Sequence, residues 1–401
     1  MIQISGLSQQ RLRSVEQLIF MLGNFGLVAS LAFAADPEEA GRVLVGLAFV
    51  TASLAALRGA FIEPEATNGS QIPTHVLFLF VGAACSVSVF LGLFSNLAIE
   101  SAIALPAASI ALAANEYYRW RAIYGSAAWS ALVGACLWLA VQFGLLLIFL
   151  VLSFFEVIAF AASPALLLYI WMAGAVTSIG WLFRTRSSAT PKSRGGDTSH
   201  AIRVWGGIEV GSQALGEAAL AAAVGITYSF SDVTSFRLAL SVFAPANAIA
   251  SSFRSGVLIE NPRVTASIIL AGLKPFAAVA AFAVAALAAV EVGLVSRNLL
   301  FLEELLPSLA LVAPLFPSRA VTVLALLNAA GLRANGSHRE SVLLKVVASS
   351  VMVILLLALS PFLTLSLAVA IGGALAFAIV LVMVWSSGRT GRRARTGRGS
   401  E

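Results

Sequence analysis

Apolar stretches long enough to cross a bilayer recur from one end of this chain to the other, and that recurrence limits the fold more than any motif does. Residues 74–95, 341–360 and 363–385 show it most clearly. About 20 apolar residues are what an α-helix needs to cross a hydrocarbon core of ~30 Å. Composition agrees: 59% of the 401 residues are hydrophobic and 11% are charged, less than half the ~25% charged share of soluble domains. No large soluble domain fits between the apolar runs.

The pattern predicts an all-α polytopic membrane protein with twelve spans, at 17–35, 41–61, 74–95, 97–116, 127–150, 160–183, 206–227, 233–257, 265–289, 302–331, 341–360 and 363–385. The turns between them are short, and several carry helix-breaking residues, as at Asp36-Pro37, Ser95-Asn96 and Ser360-Pro361. The longest polar stretch, Arg184 to Arg203, is rich in Ser, Gly, Arg and Thr and reads as a linker after the sixth span. The expected organisation is a six-helix bundle over 1–184, a linker over 185–203, a second six-helix bundle over 204–386 and a basic tail over 387–401.

An internal repeat supports the division. Gln17 and Arg58 recur 196 residues on, as Gln213 and Arg254. Each arginine is followed closely by a glutamate and a proline, Glu63-Pro64 in the first case and Glu260, then Pro262, in the second. An offset of about half the chain points to a duplicated unit, and in a membrane protein to a transporter. The repeat also argues that the first span is retained, although Arg11, Arg13, an apolar run and Ala32-Phe33-Ala34 resemble a cleavable signal peptide.

Basic residues give the orientation, because Lys and Arg accumulate on the cytoplasmic side. With the N-terminus inside, 20 of the 25 Lys and Arg fall at cytoplasmic ends, loops or the tail, and only Arg42, Arg237 and Arg297 lie outside. Both termini are then cytoplasmic, and the two halves are parallel repeats. The five arginines between Arg389 and Arg398 read as a topogenic signal and a contact for lipid headgroups.

Catalytic and metal-binding arrangements are scarce. His75, His200 and His338 form no triad and no paired ligand spacing, and Cys85 and Cys136 sit within apolar runs as small hydrophobes. Asn68-Gly69-Ser70 and Asn335-Gly336-Ser337 match a glycosylation pattern but fall in loops placed inside. Without a phosphate-cradling glycine loop or room for a nucleotide-hydrolysing domain, transport must run on a gradient or on the cargo itself. No enzyme activity, cofactor, metal or nucleic-acid partner is expected.

Polar groups at bilayer depth are functional candidates because each costs several kcal/mol unless it faces a cavity or a partner. Glu217, Lys274 and Arg319 are the deepest ionisable groups, joined by Asn24 and Asn247. Glu16, Glu209, Arg42 and Arg237 lie nearer span ends, from which they could snorkel to the interface. Lys274 and Arg319 are expected to line a cavity, although Lys274 precedes Pro275 and could instead satisfy a carbonyl freed by it. Glu217 reads equally as an ion-coupling group or as the structural partner of a cation. Asn24 and Asn247 read as helix-helix contacts or as cavity ligands. Arg58 with Glu63, and Arg254 with Glu260, read as ion pairs closing a cytoplasmic gate, with a direct phosphate contact as the alternative. In each, the proline is expected to stop the helix.

Several segments are similar to polysaccharide flippases of the O-antigen transporter type, within the multidrug/oligosaccharidyl-lipid/polysaccharide exporter superfamily. They are Glu16-Gln17 with Asn24-Phe25, Asp36 to Gly41, Arg58 to Pro64, and Asn115-Glu116-Tyr117-Tyr118-Arg119 followed by Trp138 and Gln142. The seventh and eighth spans repeat the theme through Pro245 and Arg254. Departures are Glu16-Gln17 where that family often has Asp-Gln, and Gly134 where an acidic residue is usual.

The resemblance implies two six-helix bundles in a bacterial plasma membrane, moving an undecaprenyl-pyrophosphate-linked oligosaccharide to the outer leaflet. Lys274 and Arg319 would neutralise the diphosphate while the polyprenyl tail stays among membrane lipids. A polysaccharide polymerase or glycosyltransferases would be companion proteins. The alternatives are a cation-coupled multidrug exporter, with Glu217 as its acidic site, and a non-transporting scaffold of a glycan synthase. In this reading the duplicated Gln and Arg mark the machinery, and the cargo site lies where the halves differ.

Overall fold

In a computed structural model, residues 6–68, 72–124, 127–154, 163–185, 200–244, 247, 250–251, 277, 301–334 and 337–396 are described below, and these form helices joined by short turns. The first half comprises α1 (Gly6–Ala34), α2 (Pro37–Leu57), a π-helical turn (Arg58–Ile62), α3 (Glu63–Asn68), α4 (His75–Phe94), α5 (Ile99–Tyr124), α6 (Ala128–Phe154) and α7 (Pro164–Arg184). The second comprises α8 (His200–Thr227), α9 (Phe230–Ser241), α10 (Phe301–Ala334), α11 (His338–Leu359) and α12 (Leu365–Thr396). Among the described residues there is no strand, and nine helices are long and apolar enough to span a membrane. The ninth expected span apart from residue 277, Lys274 included, and the Arg254 to Glu260 stretch lie outside the described residues.

Local chemistry sets the boundaries. Asp36 accepts the Glu39 N–H at 2.9 Å with Pro37 as the first residue of α2, and Ser163 accepts the Leu166 N–H at 3.3 Å with Pro164 opening α7. Ser229 caps α9 through the Asp232 N–H at 3.0 Å. Asn96, at φ 51°, makes the left-handed turn between α4 and α5.

Four helices outrun their expected spans by six or more residues, α1 among them by starting at Gly6. α5 continues to Tyr124, two turns past residue 116, α8 starts at His200 and α12 runs to Thr396, so much of the expected linker end and tail is helical. These extensions carry charge that hydropathy alone assigns to loops. Pro64 does not stop its helix either. The Glu63 N–H reaches back five residues to the Arg58 carbonyl, and this π turn lets the chain pass the proline into α3.

The packing order of the first half recurs in the second. α1 packs on α6 as α8 does on α11, α5 on α7 as α10 on α12, and α2 on α5 as α9 on α10. The halves meet along α2 against α8, with α9 lying against α1 and α2. At the end bearing Arg11, Arg121, Arg184 and Arg339, here the basic end, two backbones touch. A Cβ on Gly59 would stand 2.2 Å from the Gly206 carbonyl oxygen, and one on Gly206 2.3 Å from that of Gly59. At the opposite end a Cβ on Gly41 would stand 1.9 Å from the Phe230 carbonyl oxygen, and the Thr234 hydroxyl donates to the Pro37 carbonyl at 2.9 Å.

The Tyr228 hydroxyl, between spans at that opposite end, donates to the Leu363 carbonyl at 3.0 Å. Desolvation, and then the Asp232 carboxylate, raise its ionisation above the ordinary range and keep it a donor.

Because Gly59 meets backbone rather than a yielding side chain, Gly59→Ala should cost ~1–3 kcal/mol. Thermal unfolding in detergent should fall accordingly, while Gly82→Ala, whose added Cβ meets nothing within 4 Å, should not lower it.

Candidate functional site

A cavity of about 340 Å³ lies between the halves, bordered by α1, α2, α5 and α7 on one side and α8 to α11 on the other. Five cationic side chains reach it, Arg58, Arg119, Arg237, Arg319 and Lys345, against two carboxylates, Glu116 and Glu217. Gln17, Asn24, Thr51, Gln213, Ser241 and Asn247 add neutral polar groups, and Phe20, Phe25 and Trp171 add aromatic surface.

Most of these charges are held by partners. Arg319 donates to Glu217 at 2.9 Å, from a side chain 5% exposed to one 34% exposed. Glu217 is therefore the partner of a cation, one of its two expected readings, and it still faces the cavity. The stretch of α10 before Arg319 contains Pro307, Pro314 and Pro317, each lacking the N–H that would bond one turn back. Ser318 and Thr322 hydroxyls answer the carbonyls of Leu315 and Ser318 at 2.8 and 3.1 Å.

At the basic end the charges form a chain across both halves. Arg58 Nε lies 3.5 Å from Glu63 Oε1, and Arg333 of α10 donates to Glu63 Oε2 at 3.0 Å. Arg333 is also 3.6 Å from Glu209, which Lys345 approaches to 3.2 Å. A second link across the halves joins Arg203 to Glu65 at 2.5 Å. Glu63 is thus shared between Arg58 and Arg333 and does not hold Arg58 bidentately. The Arg58 guanidinium lies instead 4.6 Å from the centre of the Trp120 ring.

Several expectations about depth need correction. Glu16 and Glu209 do not snorkel; they are 0% and 1% exposed. Arg119, expected at a cytoplasmic loop, is 3% exposed, because α5 carries it back into the bundle. Arg237, expected outside, stands two turns inside α9 and lines the cavity. It forms no ion pair among the described residues, and the charges acting on it are Glu217 and Arg319. The duplicated Gln17, Gln213 and Arg58 line the same cavity as the residues that differ between halves. Arg254, Glu260 and Lys274 fall outside the described residues.

The fold is similar to that of solved MATE transporters. An outward-facing conformation of a multidrug resistance MATE family transporter of the MOP superfamily aligns at TM-score 0.66 and 16% identity over 96% of each chain. An inward-facing conformation of such a transporter aligns at 0.58 and 15% identity over 100% of this chain and 98% of that one. A MOP superfamily transporter from Pyrococcus furiosus, described by a reverse polarity of its binding pocket, aligns at 0.62 and 16% identity over 96% and 94%. No family model matches the sequence, and no curated protein does. The chain is therefore a multi-pass membrane protein with the MATE transporter fold.

Glu209 sits between two buried cations, and its removal leaves Arg333 with Glu63 and takes from Lys345 a carboxylate 3.2 Å away. Glu209→Ala should cost ~3–5 kcal/mol, as expected when one partner of a buried pair is lost, read by denaturant unfolding in detergent.

Proposed function

We propose that the protein is an alternating-access transporter whose cargo is an anionic amphiphile, a polyprenyl-pyrophosphate-linked oligosaccharide moved from the cytoplasmic to the outer leaflet of a bacterial plasma membrane. The observation that carries this reading is the charge of the cavity, five cations against two carboxylates, with Arg237 unpaired among the described residues. A phosphate group supplies the counter-charge that the cavity wall lacks. The neutral amides and hydroxyls suit sugar hydroxyls. The tail would remain in lipid, outside the cavity.

On this reading the six-helix halves over 1–184 and 204–386 rock against each other, with both termini at the cytoplasmic basic end. The chain from Arg58 through Glu63 and Arg333 to Glu209 closes that end, and the Gly41 and Phe230 contact closes the other. Arg254 with Glu260 would repeat the gate in the second half, and Lys274 would add to the cationic wall. A polymerase or glycosyltransferases would act before or after transport.

Two of the similar structures are multidrug transporters, and this favours a second reading as a small-molecule exporter. That reading places a cationic drug at Glu217. Arg319 already occupies that carboxylate at 2.9 Å, and the surrounding cations repel a cationic ligand.

Charge-assisted hydrogen bonds contribute ~1.5–3 kcal/mol each. Arg237→Ala and Arg319→Ala should therefore each slow flipping of a lipid-linked oligosaccharide in proteoliposomes by about tenfold or more, with folding intact by size-exclusion chromatography. Full activity in both variants, or efflux of a cationic dye by the wild type, would sink the flippase reading.

A further inference from the structure

The helix that begins as α2 changes its winding where the halves touch. From Arg58 to Ile62 it forms a π turn, closed by the Glu63 N–H on the Arg58 carbonyl, before α3 resumes the α winding over Glu63–Asn68. Such turns are rare and frequently sit at functional positions.

Both carboxylates of α3 named above reach across to the second half. Glu63 accepts from Arg333 of α10 at 3.0 Å, and Glu65 from Arg203 of α8 at 2.5 Å. The winding of the five residues before them is what aims them there. A π turn is an α turn with one residue added, so rewinding it as α rotates everything beyond it by one residue's twist, about 100°. Glu63 and Glu65 would leave their cations together.

Neither winding is free of cost. The π turn gives up regular hydrogen bonding, while the α winding drives the Pro64 ring against the Ala60 carbonyl, four residues back, and leaves that carbonyl without an N–H. With a cost on either side, the contacts to Arg203 and Arg333 decide between the two. The neighbouring surface permits the change. A Cβ on Gly207 of α8 would stand 3.0 Å from the Ala60 Cβ, and one on Gly211 2.7 Å from the Ala56 Cβ, so at these positions α8 has no side chain to obstruct rewinding. Val210 packs there against Gly59, which itself has none.

We propose that residues 58–62 are a register switch for the basic end. Wound as π, they hold Glu63 and Glu65 on the second half and keep that end shut; wound as α, they withdraw both carboxylates and let it part. The proposal rests on the alternating-access reading and on no particular cargo. Arg58 ties the switch to the central cavity, because its carbonyl closes the π turn while its side chain lines the cavity.

The test is spin-label distance measurement on the full chain in lipid nanodiscs, with Cys85 and Cys136 replaced by alanine. Labels go at Arg184→Cys and Arg339→Cys, exposed at the basic end of opposite halves. Two changes should move the distance in opposite directions. Deleting Ala60 leaves Glu63 bonded to the Arg58 carbonyl, now four residues back in a plain α turn, so the carboxylates keep their aim and cannot be withdrawn. The short distance should then be the sole one. Pro64→Ala restores the N–H that the α winding needs, and the long-distance population should rise severalfold. If the deletion does not fold, Pro64→Ala decides alone. No gain in the long distance for Pro64→Ala, or a gain for the deletion, overturns the switch. Where Glu63→Gln/Glu65→Gln parts the labels and Pro64→Ala does not, the switch fails and the parting of the halves stands. Where neither parts them, alternating access at this end fails as well.

Discussion

Charge inside a lipid-embedded bundle has to be paired, and the arrangement of this protein follows from how its buried charges find partners. In a medium of low dielectric an isolated carboxylate or guanidinium is too costly to keep. Glu63, Glu209, Arg333 and Lys345 are each less than a tenth exposed, yet they connect into one chain of contacts. Because Glu63 belongs to the first half and Arg333, Glu209 and Lys345 to the second, pairing these charges also fixes how the halves sit at the basic end. The opposite end is held differently, by the backbone contact of Gly41 with Phe230 and the bond from Thr234 to Pro37. Parting the basic end exposes charges that must be hydrated as they separate; parting the other exposes mainly backbone and apolar surface.

The spans were legible because hydropathy over some twenty residues is a strong, local signal. Turns at Asp36-Pro37, Ser95-Asn96 and Ser360-Pro361 were legible because Pro, Asn and Ser act through their own backbones, and helices end beside each pair. Helix ends were less so. Hydropathy ends where charge begins, but a helix does not: α5 runs on past Glu116 because Glu116 and Arg119, three residues apart on one face, satisfy each other and Glu16. The same cause hid Arg237. An arginine four residues into an expected span looks able to reach the interface, and only the start of α9 at Phe230 and the neighbouring helices show that it faces inward. Pairing across halves, such as Glu63 with Arg333, leaves no trace in a single sequence, because their separation reflects assembly and not periodicity.

The repeat and the residues that break it share one cavity. Duplicated residues were expected to serve the machinery and divergent residues the cargo. Gln17 and Gln213 line one cavity that Glu217 and Arg319 also border, so place in the fold does not by itself separate the two sets. Equivalent positions on α1 and α8 line a shared space because α1 lies against α9 of the second half and α8 against α2 of the first. Symmetry in the fold therefore places the neutral polar groups, and the unmatched charges on α8, α9 and α10 make one wall cationic.

That asymmetry sets the polarity of the cavity independently of the fold. The architecture needs only that two halves meet around a cavity and close at either end, which the helix packing and the two glycine contacts provide without any cavity charge. Polarity is then set by a handful of side chains. Here Arg237 and Arg319 share the single carboxylate of Glu217 on the second-half wall, leaving that wall with an excess positive charge among the described residues. Across the cavity, Arg119 is claimed by Glu16 and Glu116, and Arg58 by Glu63. On the proposed reading, a phosphate brings the counter-charge that the second-half wall lacks.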